Sequence, residues 1–506
     1  MHPLAQLDHL YLWHPFTQMR DWLKSEPIVI TRGHGAVLQD ARGRKYLDAN
    51  SSIWTNLHGH NHPKINAAIQ RQLKKIAHSS ALGYASEPAS LLAERLVQAA
   101  NPRLVQRTSG LRPALGKVFF SDDGATAMEV ALKLAHECAR RTGRSPHPRF
   151  LSLDGAYHGD TVGAASLGHI DLFHRTGAGL RFKSDVVMAP YCYRCPFNRA
   201  RPERADAREY RRCNWECVGE VERKFAAQKG KRSPYAAMVV EPLVQGAAGM
   251  IPQPSGWLRR VAEIARGHGA QLIADEVMTG FGRTGFPSVS RSASPSPAQD
   301  SGPAKSRQAR TPGFPAPSLF ACHREGVQPD FLALAKGLTG GYLPMAATLT
   351  TQAVFDAFLG EYEEFKTFFH GHSFTGNQLG SAAALASLEI LQAPASIQAR
   401  HRLEQTLRSE LPSLWRLPNV GDIRQIGLVA GVELVRNWRT REAFDLRQRA
   451  GLRVCEAMAR RGVLTRPIGN VVVLMPPYAT TPRQASRMVA ALFESVEEKL
   501  GGKRSF

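Results

Sequence analysis

Apolar residues come in short unbroken runs through the middle of the chain, and several runs stop on one charged or small polar residue. Residues 272–274 read Leu-Ile-Ala before Asp275, and residues 331–335 read Phe-Leu-Ala-Leu-Ala before Lys336. Runs of that length read as buried strands. Residues 118–120 form another, followed by a Ser-Asp-Asp-Gly-Ala-Thr turn. Beyond it Ala127, Val130, Ala131, Leu134, Ala135 and Cys138 recur at helical spacing, which predicts a helix over 127–141 that Gly143 ends. A strand over 237–241, a helix over 257–265 and a strand over 271–275 make one explicit strand–helix–strand unit. This alternation predicts an α/β domain with a mostly parallel central sheet over residues 85–384. Short strands over 28–31 and 36–39, and a helix after Pro63, are expected in residues 1–84. Residues 385–506 mix helices with short strands. The two flanking regions together predict a smaller α+β domain. Residues 287–317 break the pattern, being rich in Pro, Ser, Ala and Arg with almost no bulky apolar residue. Such a stretch buries too little surface to fold and reads as a disordered surface insertion.

The two charged strand ends carry the chemistry. Ligands of open α/β sheets bind beyond the carboxyl ends of the strands, so Lys336 and Asp275 are expected to meet at one rim. An amine for a Schiff base and an acid for a pyridinium nitrogen suit pyridoxal phosphate. Its phosphate needs backbone N–H donors at a helix N-terminus. Gly124 and Ala125 are small enough to admit it there. Tyr157, in Tyr-His-Gly-Asp after the apolar segment 150–153, is the candidate ring to cover the cofactor.

Composition narrows the alternatives. A chain of 506 residues is long enough for a large and a small domain, and 43% hydrophobic content is ordinary for a globular protein. Its 65 Lys and Arg against 43 Asp and Glu leave a net charge of +22. That charge raises nucleic-acid binding, but the arginines are dispersed and no binding motif accompanies them. The clusters at 199–212 and 436–449 are mixed with acids and read as solvated helices. A basic surface serving an anionic cofactor is the preferred reading. No apolar stretch reaches membrane-span length, and the N-terminus has no signal-peptide pattern. Seven cysteines in a chain this large point to a reducing cytoplasm.

Two clusters could hold a metal. Cys192 and Cys195 form one close pair and Cys213 and Cys217 another, with seventeen residues between the pairs. The spacing resembles a zinc knuckle, against which stand reduced thiols or a local disulfide. A metal there would brace a loop. His58, His60 and His62 alternate, as do His370 and His372, which puts each set on one face of an extended segment. No acid or cysteine pattern completes a site, so pocket lining or loop hydrogen bonding is expected.

The motifs resemble those of class III (ω-type) pyridoxal-phosphate aminotransferases. Within that family they are most similar to the 7,8-diaminononanoate-forming branch of biotin synthesis. The residues carrying the resemblance are Leu12 to Met19 (Leu-Trp-His-Pro-Phe-Thr-Gln-Met), Ser51 to Trp54, His58 to Pro63, Asp275 to Val277 with Gly280 to Gly285, Lys336 to Gly341, Phe369 to Asn377, and Thr465 to Gly469. The resemblance implies a fold-type I transferase and a homodimer with sites at its interface. It implies that Lys336 forms the Schiff base and carries the proton, Asp275 pairs with the pyridinium nitrogen, and Tyr157 stacks on the ring. Gly124 and Ala125 would bind phosphate, with Ser373 reaching across from a partner subunit. Trp54, Phe16, Gly371 and Arg466 would contact substrate, Arg466 holding the carboxylate. Glu241, Gln245, Asp160 and Arg283 would support them. The implied reaction moves an amino group from a donor to 8-amino-7-oxononanoate. Phe16, Ile53 before Trp54, and His372-Ser373-Phe374-Thr375 depart from the usual pattern toward the lysine-using branch. S-adenosylmethionine is the expected donor and L-lysine the alternative. Two other readings are an ω-aminotransferase acting on a diamine or ω-amino acid, and a non-catalytic basic binding protein.

Overall fold

The structure is a computed structural model that describes residues 1–102, 114–231, 233–285 and 318–501. The expected insertion at 287–317 lies outside the described residues. A seven-stranded sheet forms the centre, with strands β1 (Leu115–Ser121), β2 (Arg149–Leu153), β3 (Asp185–Val187), β4 (Tyr235–Val240), β5 (Gln271–Asp275), β6 (Phe331–Leu334) and β7 (Ala346–Thr351). Their order is β1-β7-β6-β5-β4-β2-β3. β6, β5, β4, β2 and β3 pair in parallel. β7 runs antiparallel to both β6 and β1, so it alone opposes the sheet direction. All four residues of β6 and all six of β4 are buried. Helices cover both faces, which is why these strands read as continuous apolar runs.

The helix Gly124–Arg141 begins three residues before its apolar periodicity does. Asp123 explains the early start. Its side chain accepts from Thr126 N–H at 2.8 Å, and the Thr126 hydroxyl reciprocates at the Asp123 N–H at 2.9 Å, a full capping box. The helix buries mostly alanines and small residues against the sheet, which lets its N-terminus come close to the strand ends.

Two smaller sheets flank the centre. Ile30–His34, Val37–Asp40 and Lys45–Asp48 form an antiparallel meander, and Val463–Leu464 joins its edge in parallel with Lys45–Asp48. Val420–Ile426, Val429–Asn437, Val471–Leu474 and Pro467–Ile468 form an antiparallel sheet. The first strand starts at Ile30 rather than 28, just after the Pro27 that blocks ladder pairing. The basic clusters are not helices. Residues 199–212 hold only the turn Ala207–Tyr210, because Arg199 N–H donates to the Arg212 carbonyl and folds the segment back on itself. Residues 436–449 leave the strand Val429–Asn437, return to pair as Glu442–Ala443, and end in the turn Leu446–Gln448.

Phe331 on β6 is fully buried at the centre of the sheet. Phe331→Ala is expected to cost about 3–5 kcal/mol, read as a lower urea midpoint for unfolding; a midpoint within error of the parent would contradict this placement of the core.

Candidate active site

β5 and β6 are neighbours in the same direction, with Asp275 opposite Ala333. Asp275 and Lys336 therefore leave the sheet at the same end, on one cavity of about 720 Å³. The backbone reaches Lys336 under strain, since Lys336 sits at φ 41°, a region unfavourable for any residue but glycine. Its ammonium lies 5.4 Å from the centre of the Trp54 ring. Burial lowers the Lys336 pKa, opposed by Asp275, Glu241 and Asp123. A lowered value favours the neutral amine that a nucleophile and proton carrier requires.

Asp275 is held from two sides. One oxygen accepts from Val277 N–H at 3.0 Å, and the other meets His158 Nδ1 at 2.7 Å. The His158 ring is buried, and burial alone would lower its pKa. The bond to Asp275 and the charges of Asp275 and Glu241 outweigh that and raise it. The contact with the carboxylate thus favours the protonated imidazole. Glu241 accepts from Gly246 N–H at 2.8 Å and Tyr157 N–H at 3.3 Å. Burial, with help from Asp275, pushes its carboxyl up to about 7 against His158 and those two amides.

The helix start at Gly124 lines the same cavity. A Cβ at Gly124 would lie 2.6 Å from Val277 Cγ1, so only glycine lets the helix end sit against the strand end carrying Asp275. Gly159, at φ 124°, passes so near Ala125 that a Cβ would come within 2.4 Å of its methyl. Asp123 satisfies Thr126 N–H and Ala127 N–H. The Gly124 and Ala125 amides belong to the first turn, whose N–H groups have no partner within the helix. Two amides at a helix start, a carboxylate and an amine in one cavity fit pyridoxal phosphate. Tyr157 lines the wall, its hydroxyl donating to Asp160 at 2.8 Å. Burial and that carboxylate raise its pKa, which keeps the phenol neutral.

Trp54 enters the cavity on unusual backbone. Ser51, Ser52, Ile53 and Trp54 are all left-handed, with φ between 46° and 67°. Such residues cost roughly 1–2 kcal/mol each, so the surroundings must hold them. Ser51 Oγ donates to the Met475 carbonyl at 2.6 Å, Ser52 Oγ to Asp48 at 2.9 Å, and Trp54 Nε1 to Asn50 Oδ1 at 2.8 Å. Arg283, fully buried, donates to the Pro476 carbonyl at 2.9 Å and the Asn56 carbonyl at 3.3 Å. It braces this turn and does not line the cavity. Gln245 bonds the Asp154 carbonyl at 3.0 Å.

The other expected residues lie outside the cavity wall. Phe16 is largely exposed and meets Tyr157 edge-on at 6.5 Å and Phe173 at 5.2 Å. Arg466 is exposed on the connection between Val463–Leu464 and Pro467–Ile468. Gly371 and Ser373 are exposed, and the Ser373 carbonyl accepts from His78. The alternating histidines go to separate partners. His58 bonds Ser387 Oγ at 2.9 Å, His60 bonds Asp48 at 3.0 Å, and His372 meets Asp122 at 3.1 Å. The basic net charge is not expressed here. Asp122, Asp123, Asp160, Glu241 and Asp275 line the cavity, with Lys336 the one Lys or Arg among the lining residues.

Set against known proteins, the chain matches the aminotransferase class-III family model over residues 19–292 and 313–496. It therefore belongs to the class III aminotransferases, which are pyridoxal-phosphate-dependent. Among its relatives, the adenosylmethionine-8-amino-7-oxononanoate aminotransferase of Geobacter sulfurreducens is 44% identical, over 99% of this chain and 98% of the relative. The protein of that name from Methanocaldococcus jannaschii is 38% identical over 98% of each. The crystal structure of that aminotransferase superposes with a TM-score of 0.82 at 37% identity, covering 98% of this chain and 99% of the other. A pyridoxal-phosphate-bound amine transaminase from an uncultivated Pseudomonas species does so with a TM-score of 0.80 at 32% identity, covering 96% and 98%.

Two outcomes follow from the geometry. His158→Gln keeps a donor at Asp275 but removes its charge. It is expected to lower kcat/KM roughly tenfold, about 1.4 kcal/mol, while retaining cofactor; unchanged kinetics would remove the charge from the account. His58 has its pKa pushed down to about 3, chiefly by burial, from an ordinary 6.5. The unfolded chain takes up that proton first, so stability is full above 6.5 and falls as pH drops toward 3. His58→Gln is expected to flatten that part of the urea midpoint against pH; an unaltered slope would assign it to other groups.

Proposed function

We propose that the chain transfers an amino group to 8-amino-7-oxononanoate, forming 7,8-diaminononanoate for biotin synthesis. The observation that carries the chemistry is the meeting of Lys336, Asp275 and the Gly124–Ala125 amides in one cavity. The acceptor rests on relatives named for it that align with nearly the whole chain. When bound, pyridoxal phosphate supplies the electron sink for transamination. Asp275, oriented by His158, holds the pyridine nitrogen. Gly124 and Ala125 hold the phosphate, and Tyr157 covers the ring. Lys336 serves as nucleophile and moves the proton in both half-reactions. The acidic lining suits a donor with a surplus positive charge, which both S-adenosylmethionine and L-lysine carry. S-adenosylmethionine is the donor in this reading, with L-lysine the rival.

The remaining assignments extend the same reading. The working form is a homodimer in the cytoplasm, in which Ser373 and Gly371 complete the partner subunit's site. Arg466 receives the acceptor's carboxylate and Phe16 borders the donor's side of the cavity. Residues 85–384 act as the large cofactor-binding domain, and residues 1–84 and 385–506 as the small one. A second reading, amine transaminase activity on other ω-amines, draws on the structural likeness to such an enzyme at 32% identity.

The test follows the cofactor's visible band in purified protein. One donor is expected to bleach it, and 8-amino-7-oxononanoate to restore it. Bleaching by other ω-amines with no recovery on 8-amino-7-oxononanoate would favour the second reading. Arg466→Ala is expected to raise the KM for the acceptor roughly tenfold or more and leave the donor half-reaction intact; an unchanged KM would place the carboxylate elsewhere.

A further inference from the structure

Between β3 and the helix Glu216–Ala226 the chain makes a long excursion that the reaction does not use. Residues 188–215 contain one helical turn, Ala207–Tyr210. Their own core is Cys192, Tyr193 and Ala207, with Tyr191 and Tyr210 against it. A connection of this length with so small a core calls for a staple.

Three cysteines of the excursion converge with Cys217 in the first turn of the helix Glu216–Ala226. Cys192 and Cys195 sit in a tight turn, where Arg194 N–H donates to the Tyr191 carbonyl at 3.0 Å and Asn198 N–H to the Cys195 carbonyl at 3.1 Å. Cys213 and Cys217 bracket the start of the helix Glu216–Ala226, whose cap Trp215 is left-handed at φ 63°. Arg199 N–H to the Arg212 carbonyl, 3.0 Å, ties the two arms together. All four cysteine residues line one cavity of about 10 Å³, room for a single small ion or water. No disulfide joins them, since each is a free cysteine. One N–H donor faces a sulfur. Arg211 Nη1 is 3.0 Å from Cys213 Sγ. Such a donor stabilises a thiolate ligand from outside the coordination shell. The Trp257 indole is fully buried and its N–H lacks a hydrogen-bond partner.

We propose that Cys192, Cys195, Cys213 and Cys217 bind one zinc ion that staples this excursion. Pairs separated by two and three residues fall within the spacing of structural zinc sites, and four sulfur ligands select zinc over hard cations. Among the described residues no group of three or more His, Cys, Asp or Glu side chains is placed to hold a metal ion as the side chains stand. Cys213 is turned to Arg211, and Cys192 to the Pro190 carbonyl at 3.9 Å. Binding turns these side chains inward and releases four protons to solvent. The complex then carries two net negative charges, which Arg211 faces.

The ion's role is positional. Tyr191 and Arg194, on this loop, both bond Glu433 of the strand Val429–Asn437, Arg194 Nε at 2.7 Å. Glu433 shares the buried Arg424, which donates to the Gly249 carbonyl at 2.6 Å. Two residues away, Ala247 lines the catalytic cavity. The staple thus steadies the tie between the C-terminal sheet and one cavity wall.

The test is metal content of the full-length, cofactor-loaded protein grown with zinc, then with cobalt(II). About one zinc per chain is expected, released as a mercurial titrates the thiols, and the cobalt form should show thiolate-to-metal charge-transfer bands. The variant Cys195→Ser/Cys213→Ser should lose both. Wild-type protein with under about a tenth of a zinc per chain, or a disulfide found among these four residues by mass spectrometry, would overturn the proposal. Retention of full zinc by the double variant would also overturn it. Should the variant not fold, the wild-type stoichiometry and cobalt spectrum still decide.

Discussion

The site depends on two parallel strands lying side by side. Because β5 and β6 share a direction and a register, the residues just past their ends are forced to the same rim. No loop flexibility is needed to bring Asp275 and Lys336 together. The strands are fixed by burial on both faces and by backbone pairing, so the charged ends inherit the rigidity of the sheet centre. The other supports answer to that placement. The helix Gly124–Arg141 comes close only because Gly124 lacks a side chain where Val277 stands. His158 turns inward because Asp275 is there to meet it.

Electrostatics then divide the labour among buried groups. Lys336 is pushed toward its neutral form, while His158 is pushed toward its charged form by the carboxylate it touches. The short bond from His158 holds the Asp275 carboxylate in place at the cavity. The left-handed run from Ser51 to Trp54 and the left-handed Lys336 store strain on either side of the same cavity. The Ser51–Trp54 run is held by Asp48 nearby and by Met475 and Arg283 far along the chain.

Features legible in the sequence were those written in local periodicity. β5 falls on residues 271–275 as its apolar run implies, and the helix over 127–141 was evident from its spacing, though its cap moved the start to Gly124. Motif resemblance pointed to the class III family, to which the chain belongs. What escaped depended on distant pairing. Nothing local to Tyr157-His158 tells that the imidazole meets a carboxylate 117 residues away. The basic clusters read as helices because charge pattern alone does not reveal backbone pairs such as Arg199 with Arg212. The acidic lining of the cavity was hidden in the same way, since its carboxylates come from four separate stretches of a chain whose net charge is +22.

The central claim is that Lys336 is the amine that engages the cofactor. Borohydride reduction of the pyridoxal-phosphate-loaded protein, followed by peptide mass spectrometry, tests it directly. The phosphopyridoxyl mass is expected on the peptide containing Lys336, and is expected to be lost in Lys336→Ala. A modification confined to another lysine, with Lys336 untouched, would contradict it.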